Sequence, residues 1–208
     1  IAMWSGPRNL STAMMYSFGN RPDFDVIDEP FYAAYLNKTG IVHPMRDEII
    51  SSQQIDPESV ISDLLNKKYD GGSHRYQKHM TQHMLKDFDL TWMKKVINVF
   101  LIRHPARVIK SFGEKLNHAT IEDIGFKQQL NLFNYVSSIG QKPIVIDSFD
   151  ICKDPRSALE CLCNEVGLEF MSIASEETAD NASSQPNIIV FVGGKNPPSP
   201  WVAGLISK

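Results

Sequence analysis

An α/β fold, with a central parallel sheet flanked by helices, is what this sequence predicts. Short apolar runs alternate with longer segments of helical period, the pattern of a parallel sheet covered by helices. The first such run passes through a tight turn directly into a helical segment. The chain has 208 residues, 42% of them hydrophobic and 22% charged, which suits one domain with a real core. Chains of about 150 residues already bury about 70% of their extended surface.

Taken in order, residues 1–5 and 24–28 read as strands, 76–80 as a weaker one, and 96–102 and 143–147 as two more. The helix at 11–19 follows from Leu10, Met14 and Phe18, whose spacing of four gives one apolar face. The helix at 57–67 pairs Val60 with Leu64 and Ile61 with Leu65 at i, i+4. Over 105–116, Val108, Phe112 and Leu116 share one face and Arg107, Lys110, Ser111 and Glu114 another. Pro105 suits the first helical position, where a missing N–H costs nothing. Helices at 126–139 and 155–166 complete the set, the second closed by Gly167 as its C′ residue. Segment 172–186 is polar and poor in large apolar residues, so it reads as a linker or a disordered loop, followed by a strand-like 188–192 and a Pro-rich 195–200. The expected organisation is an α/β domain over 1–171 and a divergent, partly flexible tail over 172–208.

Composition narrows the function. With 21 Lys and Arg against 24 Asp and Glu, the net charge of −3 argues against a nucleic-acid coat or a polybasic membrane anchor. Any anionic ligand must therefore be held locally. Of three cysteines, Cys161 and Cys163 lie in an apolar helical stretch with Leu159, Leu162 and Val166, and are expected to be small buried hydrophobes in a reducing compartment. No run approaches transmembrane length, and a cytoplasmic address is the expectation.

The sharpest local signal is Gly6-Pro7-Arg8-Asn9-Leu10-Ser11-Thr12 between the first strand and the first helix. Such a turn exposes successive backbone N–H groups at the positive end of a helix dipole and can cradle phosphate or a similar oxyanion. Ser11 and Thr12 add hydroxyl donors, and Arg8 adds a fixed cation. The bland alternative makes Ser11 a helix N-cap and Gly6-Pro7 a plain turn. The layout is that of a Walker A loop without its Gly-Lys pair, which disfavours nucleoside triphosphate chemistry. A second constellation is Arg103, at the end of a buried strand, with Ser111 eight residues on, two turns into the following helix. Ligands in open parallel sheets collect beyond the carboxyl ends of the strands, which puts both constellations at one edge. Taken singly, Arg103 could instead pair with a surface carboxylate and Ser111 be a solvated hydroxyl.

Together these residues resemble the sulfotransferase family that uses 3′-phosphoadenosine 5′-phosphosulfate (PAPS). Residues 6–12 look like its 5′-phosphosulfate loop, and Arg103 with Ser111, in LIRHPARVIKS, looks like its 3′-phosphate site. The strings WSGPRNLSTAMM, DEPFYA and QKHMTQHML are similar to a bacterial sulfotransferase-like group also found joined to aminotransferase-like domains in plants. The resemblance runs from residue 1 to about 170, with Leu10 standing where many members have Gly. It implies a P-loop NTPase-like three-layer architecture and transfer of a sulfuryl group from PAPS, without a metal, to a hydroxyl or amine of a small acceptor. It further implies that Arg8, Asn9, Leu10, Ser11, Thr12, Arg103 and Ser111 hold the nucleotide.

In-line transfer needs donors for charge developing on the leaving phosphate and a group to take the acceptor's proton. Arg8, the amides of 9–12 and the two hydroxyls supply the first. For the second, Glu29 follows a strand and emerges at the same edge, while His79 lies near the end of another; Lys78 is a reserve cation for the sulfonate. Glu29 could equally cap the next helix, and His79 could be a structural imidazole. The spacing of His74, His79 and His83 fits no common zinc pattern. Trp4, Trp92 and Trp201 could stack on adenine, although buried packing is the commoner fate. Loops near 31–36 and 41–55, with Tyr32, Tyr35 and His43, are expected to line the acceptor. A non-catalytic nucleotide-binding module and a degenerate P-loop kinase are the competing readings. No nucleic-acid or membrane partner is expected.

Overall fold

The computed structural model describes residues 1–67, 72–113 and 124–171. Its elements run β1 (Ala2–Ser5), α1 (Ser11–Gly19), β2 (Phe24–Asp28), α2 (Tyr32–Thr39), α3 (Arg46–Ser52), α4 (Pro57–Asn66), β3 (His74–Met80), β4 (Asn98–Ile102), α5 (Pro105–Gly113), α6 (Phe126–Ser138), β5 (Ile144–Asp147), α7 (Ser148–Lys153) and α8 (Pro155–Glu165). Two short 3-10 turns, Thr81–His83 and Thr91–Lys95, lie between β3 and β4. The strands form one parallel sheet in the order β2-β3-β1-β4-β5.

β1 is central, and all four of its residues are buried. Alternation along the strands divides the core into two layers. Ala2, Trp4 and Phe100 pack against α4, α6 and the second 3-10 turn through Val60, Leu64, Leu132, Val136, Trp92 and Met93. Met3, Val99, Leu101 and Ile146 pack on the other face against Met14 and Phe18 of α1, Ile151 of α7 and Leu159 and Leu162 of α8. Burial on both faces explains why these strands read as apolar runs rather than alternating ones. The chain crosses over β1 between β3 and β4, so the carboxyl end of β1 sits in a crevice between its neighbours, where ligands gather in such sheets.

Helix ends follow local chemistry. The Asp56 and Asp154 carboxylates accept the Ser59 and Ser157 N–H groups, with prolines at the first helical positions of α4 and α8. Gly167 takes φ +73° after α8, and Leu168 N–H reaches back to the Cys163 carbonyl at 2.8 Å, the C′ role expected of that glycine.

Several expectations need correction. The weak strand is longer than read, His74–Met80, because pairing on both sides with β2 and β1 stabilises residues whose own propensity is modest. Segments 31–36 and 41–55 are not plain loops but hold α2 and α3. Helix α3 buries no residue, so its apolar pattern gave no signal. Cys161 is exposed and only Cys163 of that pair is buried. Helix α5 is described to Gly113, and the linker, strand-like run and Pro-rich segment expected beyond 171 lie outside the described residues, as does Trp201. Among the described residues no helix is long and apolar enough to cross a membrane.

Candidate active site at the carboxyl edge of the sheet

The turn after β1 is shaped by its backbone. Gly6 lies so close to the Ile124 carbonyl oxygen that a Cβ there would stand 2.5 Å from it, which excludes any side chain. Arg8 and Leu10 both have φ +64°, the left-handed region, which costs a non-Gly residue roughly 1–2 kcal/mol each. Alternating left-handed residues turn successive N–H groups toward one side, the arrangement that makes an anion nest. Leu10 occupies the cap position of α1 and no side chain caps the helix, so the N-cap role considered for Ser11 is not the one it plays. Ser11 is the first helical residue and is buried, and Thr12 beside it is exposed.

Side chains tie this turn to the next strand. Asn9 is fully buried and donates from Nδ2 to the Leu101 carbonyl at 3.2 Å, while its Oδ1 is buried without a partner. The Arg103 guanidinium donates to the Arg8 carbonyl at 2.6 Å, and Arg8 Nε donates to Ser111 Oγ at 2.8 Å. The two constellations read from separate stretches of sequence thus meet directly, on one surface. Neither Arg8 nor Arg103 is ion-paired with a carboxylate among the described residues.

The opposite side of the crevice is built from β2 and β3. Lys78, its side chain 6% exposed, reaches Asp28 Oδ1 at 2.7 Å and Glu29 Oε1 at 2.6 Å. Burial works against its charge, but the two carboxylates outweigh that and hold its pKa above the ordinary lysine value. Glu29 has φ +47°, a strained conformation stabilised by its N–H bond to the Lys78 carbonyl at 2.9 Å. Its side chain is 25% exposed, so the carboxylate stands at the rim. Met80, two residues beyond Lys78, is the register partner of Ser5, which brings this cluster next to the start of the turn.

His79 does not join the site. Neighbours on a strand face opposite ways, so where Lys78 turns to the carboxylates, His79 turns into the core. It stacks on Trp4 at 4.4 Å, packs near Phe31 and Trp92, and bonds Gln77 Oε1 at 3.1 Å. Burial lowers its pKa to about 3, so it is neutral. It therefore lies apart from Glu29, the other residue considered for the proton-accepting role, which stands at the rim. Trp4 and Trp92 are likewise core residues, 0% and 2% exposed, rather than an adenine platform.

Of the residues expected near the acceptor, Phe31 is buried in the core and Tyr32, Tyr35 and His43 cluster. The Tyr32 hydroxyl bonds the His43 ring at 2.9 Å, and Tyr32 and Tyr35 each stack on His83 with centroids 4.7 and 4.9 Å apart. Burial, with Lys78 adding repulsion, lowers the His83 pKa to about 3. Sequence reading missed the Asp28 contact, the aromatic role of His83, and Gln129, a lone buried amide in the apolar stripe of α6. That last polar residue at core spacing was the one legible signal among them.

Fold and site together define an α/β protein with a candidate anion-holding turn between its first strand and first helix. Comparison with known proteins makes the assignment specific: the sulfotransferase domain model matches residues 1–185, and the chain belongs to that family. Two Arabidopsis thaliana relatives, branched-chain-amino-acid aminotransferase-like proteins 2 and 1, are 33% and 34% identical over 174 residues. That match takes in 83% of this chain but 30% and 31% of theirs, so the chain spans about a third of the length of the curated relatives it matches. Among solved structures, the sulfotransferase domain of a Synechococcus olefin synthase superposes with TM-score 0.50 at 14% identity, covering 82% of this chain and 73% of that one. The sulfotransferase domain from the curacin biosynthetic pathway gives 0.53 at 15%, covering 82% and 74%. At such identities the two structures establish the shared fold.

Proposed function

We propose that this sulfotransferase domain takes its sulfuryl group from PAPS and delivers it to a hydroxyl or amine of a small acceptor. The observation that carries this reading is the meeting of the two cationic constellations through the Arg103–Arg8 and Arg8–Ser111 bonds, which lets a single bisphosphorylated adenosine span both. The turn fits a tetrahedral oxyanion, with its left-handed residues, its uncapped helix start and an arginine that no carboxylate among the described residues neutralises.

In this reading the amides of 9–12, Arg8, Ser11 and Thr12 hold the 5′ end, and Arg103 and Ser111 hold the 3′-phosphate. The acceptor atom bonds to sulfur as the bond from sulfur to the bridging oxygen breaks, adenosine 3′,5′-bisphosphate leaves, and the acceptor's proton passes to Glu29. Donors around the turn stabilise charge arriving on the leaving phosphate. Lys78 holds the Glu29 carboxylate in place and lies on the same side of the crevice as a second cation for the sulfonate.

Thermal unfolding with adenosine 3′,5′-bisphosphate and no Mg²⁺ tests the donor assignment. A ligand at 100 times its Kd adds about 2.7 kcal/mol. For a chain of this size that is a rise of roughly 5–10 °C in Tm, which Arg103→Ala should cut to about half or less at the same ligand concentration. A rise with ATP–Mg²⁺ alone would favour the kinase reading instead. Bisphosphate binding with no sulfation of any acceptor in a broad panel would favour the binding module.

A further inference from the structure

Gln129 lies on the sheet-facing side of α6, 7% exposed, in a stripe otherwise made of Leu132 and Val136. Its Nε2 carries two hydrogens, and the carbonyls of Trp4 and Leu101 accept from it at 3.2 and 3.0 Å. Trp4 stands two residues before Gly6, where the phosphate turn opens, and Leu101 stands two residues before Arg103. Ladder pairing between β1 and β4 ends at Ser5 and Leu101. Beyond that point side chains join the two segments, Asn9 and Arg103 from within them and the Gln129 amide from α6. The Leu101 carbonyl also accepts from Asn9 inside the turn, so one backbone oxygen joins the helix, the turn and β4. The start of α6 sits on the same junction: the Ile124 carbonyl covers Gly6, and the Gly125 carbonyl accepts from Thr81, just past β3, at 3.0 Å.

An apolar residue would pack α6 on the sheet without having to satisfy a buried amide. What the amide adds is a fixed distance between two strand ends. We propose that Gln129 is a positioning residue that sets the separation between the phosphate turn and Arg103, and with it the ability of one ligand to engage both ends at once. This rests on the nucleotide reading above. Holding both ends makes the second contact effectively intramolecular, an advantage that vanishes when the spacing is wrong.

Calorimetric titration of the full chain with adenosine 3′,5′-bisphosphate, adenosine 5′-monophosphate and adenosine 3′-monophosphate tests this, comparing wild type with Gln129→Met, which is similar in volume and lacks the donors. The expected result is bisphosphate affinity about tenfold weaker, with each monophosphate within about twofold of wild type, so that the preference for two phosphates collapses. Equal weakening of all three ligands, or no change in any, would reduce Gln129 to a packing residue and overturn the proposal. A wild-type protein with no preference for the bisphosphate would overturn the nucleotide reading and this inference together, whereas a preference kept unchanged in the variant overturns the inference alone. If Gln129→Met does not fold, Gln129→Asn, which withdraws the amide by one methylene, carries the same comparison.

Discussion

The crevice has two walls that use charge in opposite ways. On the β4 side, Arg8 and Arg103 direct hydrogen bonds to a backbone carbonyl and a serine hydroxyl, and no carboxylate neutralises them among the described residues. On the β2–β3 side, Lys78 is buried and held by two carboxylates. In the proposed reaction the first wall offers its cationic groups to the anionic ends of the donor. The second neutralises its own cation and leaves a carboxylate at the rim. This contrast matches the two demands of group transfer, charge stabilisation at the donor and proton removal at the acceptor.

Substitutions should therefore separate by wall. The largest effect is expected from Glu29→Gln, which keeps shape but cannot take a proton: turnover should fall roughly 10²–10⁴-fold with bisphosphate affinity within about twofold of wild type. Parallel loss of nucleotide binding would show that the walls are not independent. Next, Arg8→Ala should slow transfer by roughly 10²–10³-fold, measured as single-turnover rate with saturating donor. Arg103→Ala should weaken the bisphosphate by roughly 10–100-fold while sparing adenosine 5′-monophosphate, because it removes a charged hydrogen bond made only to the 3′ end.

A separate effect concerns stability rather than turnover or affinity, and it reports on the core behind the second wall. His79 and His83 have folded pKa values of about 3, below the roughly 6.5 of an unfolded chain. The unfolded state therefore binds protons first as pH falls, so stability is complete above about pH 6.5 and is lost progressively toward pH 3. Between pH 7 and 5 each histidine should remove about 2 kcal/mol, read by urea unfolding at the two pH values. His79→Phe should flatten part of that dependence without changing nucleotide affinity. Unchanged pH dependence in the variant would show that His79 is not the buried neutral group described.

How much of this was legible in the sequence follows the same division. The phosphate turn and the Arg103–Ser111 spacing could be read because each is local: a strand, a turn with donors, and a helix within a dozen residues. The second wall could not be, since Asp28, Glu29 and Lys78 meet only through the register of β2 with β3. Without that register Lys78 and His79 are adjacent letters, and nothing says which of them faces the crevice. Gln129 showed only as a polar residue at core spacing; what it bonds was hidden for a related reason, because its partners Trp4 and Leu101 lie 125 and 28 residues away. Helices α2 and α3 were missed because each is short and α3 has no buried face. In each case the missing information was tertiary rather than local.

The most direct measurement is a crystal structure of the protein with adenosine 3′,5′-bisphosphate. One molecule should lie across the crevice, its 5′-phosphate within hydrogen-bond distance of Arg8 and the 9–12 amides and its 3′-phosphate on Arg103 and Ser111. Density for the ligand at only one of these places, with its other phosphate in solvent, would contradict the account.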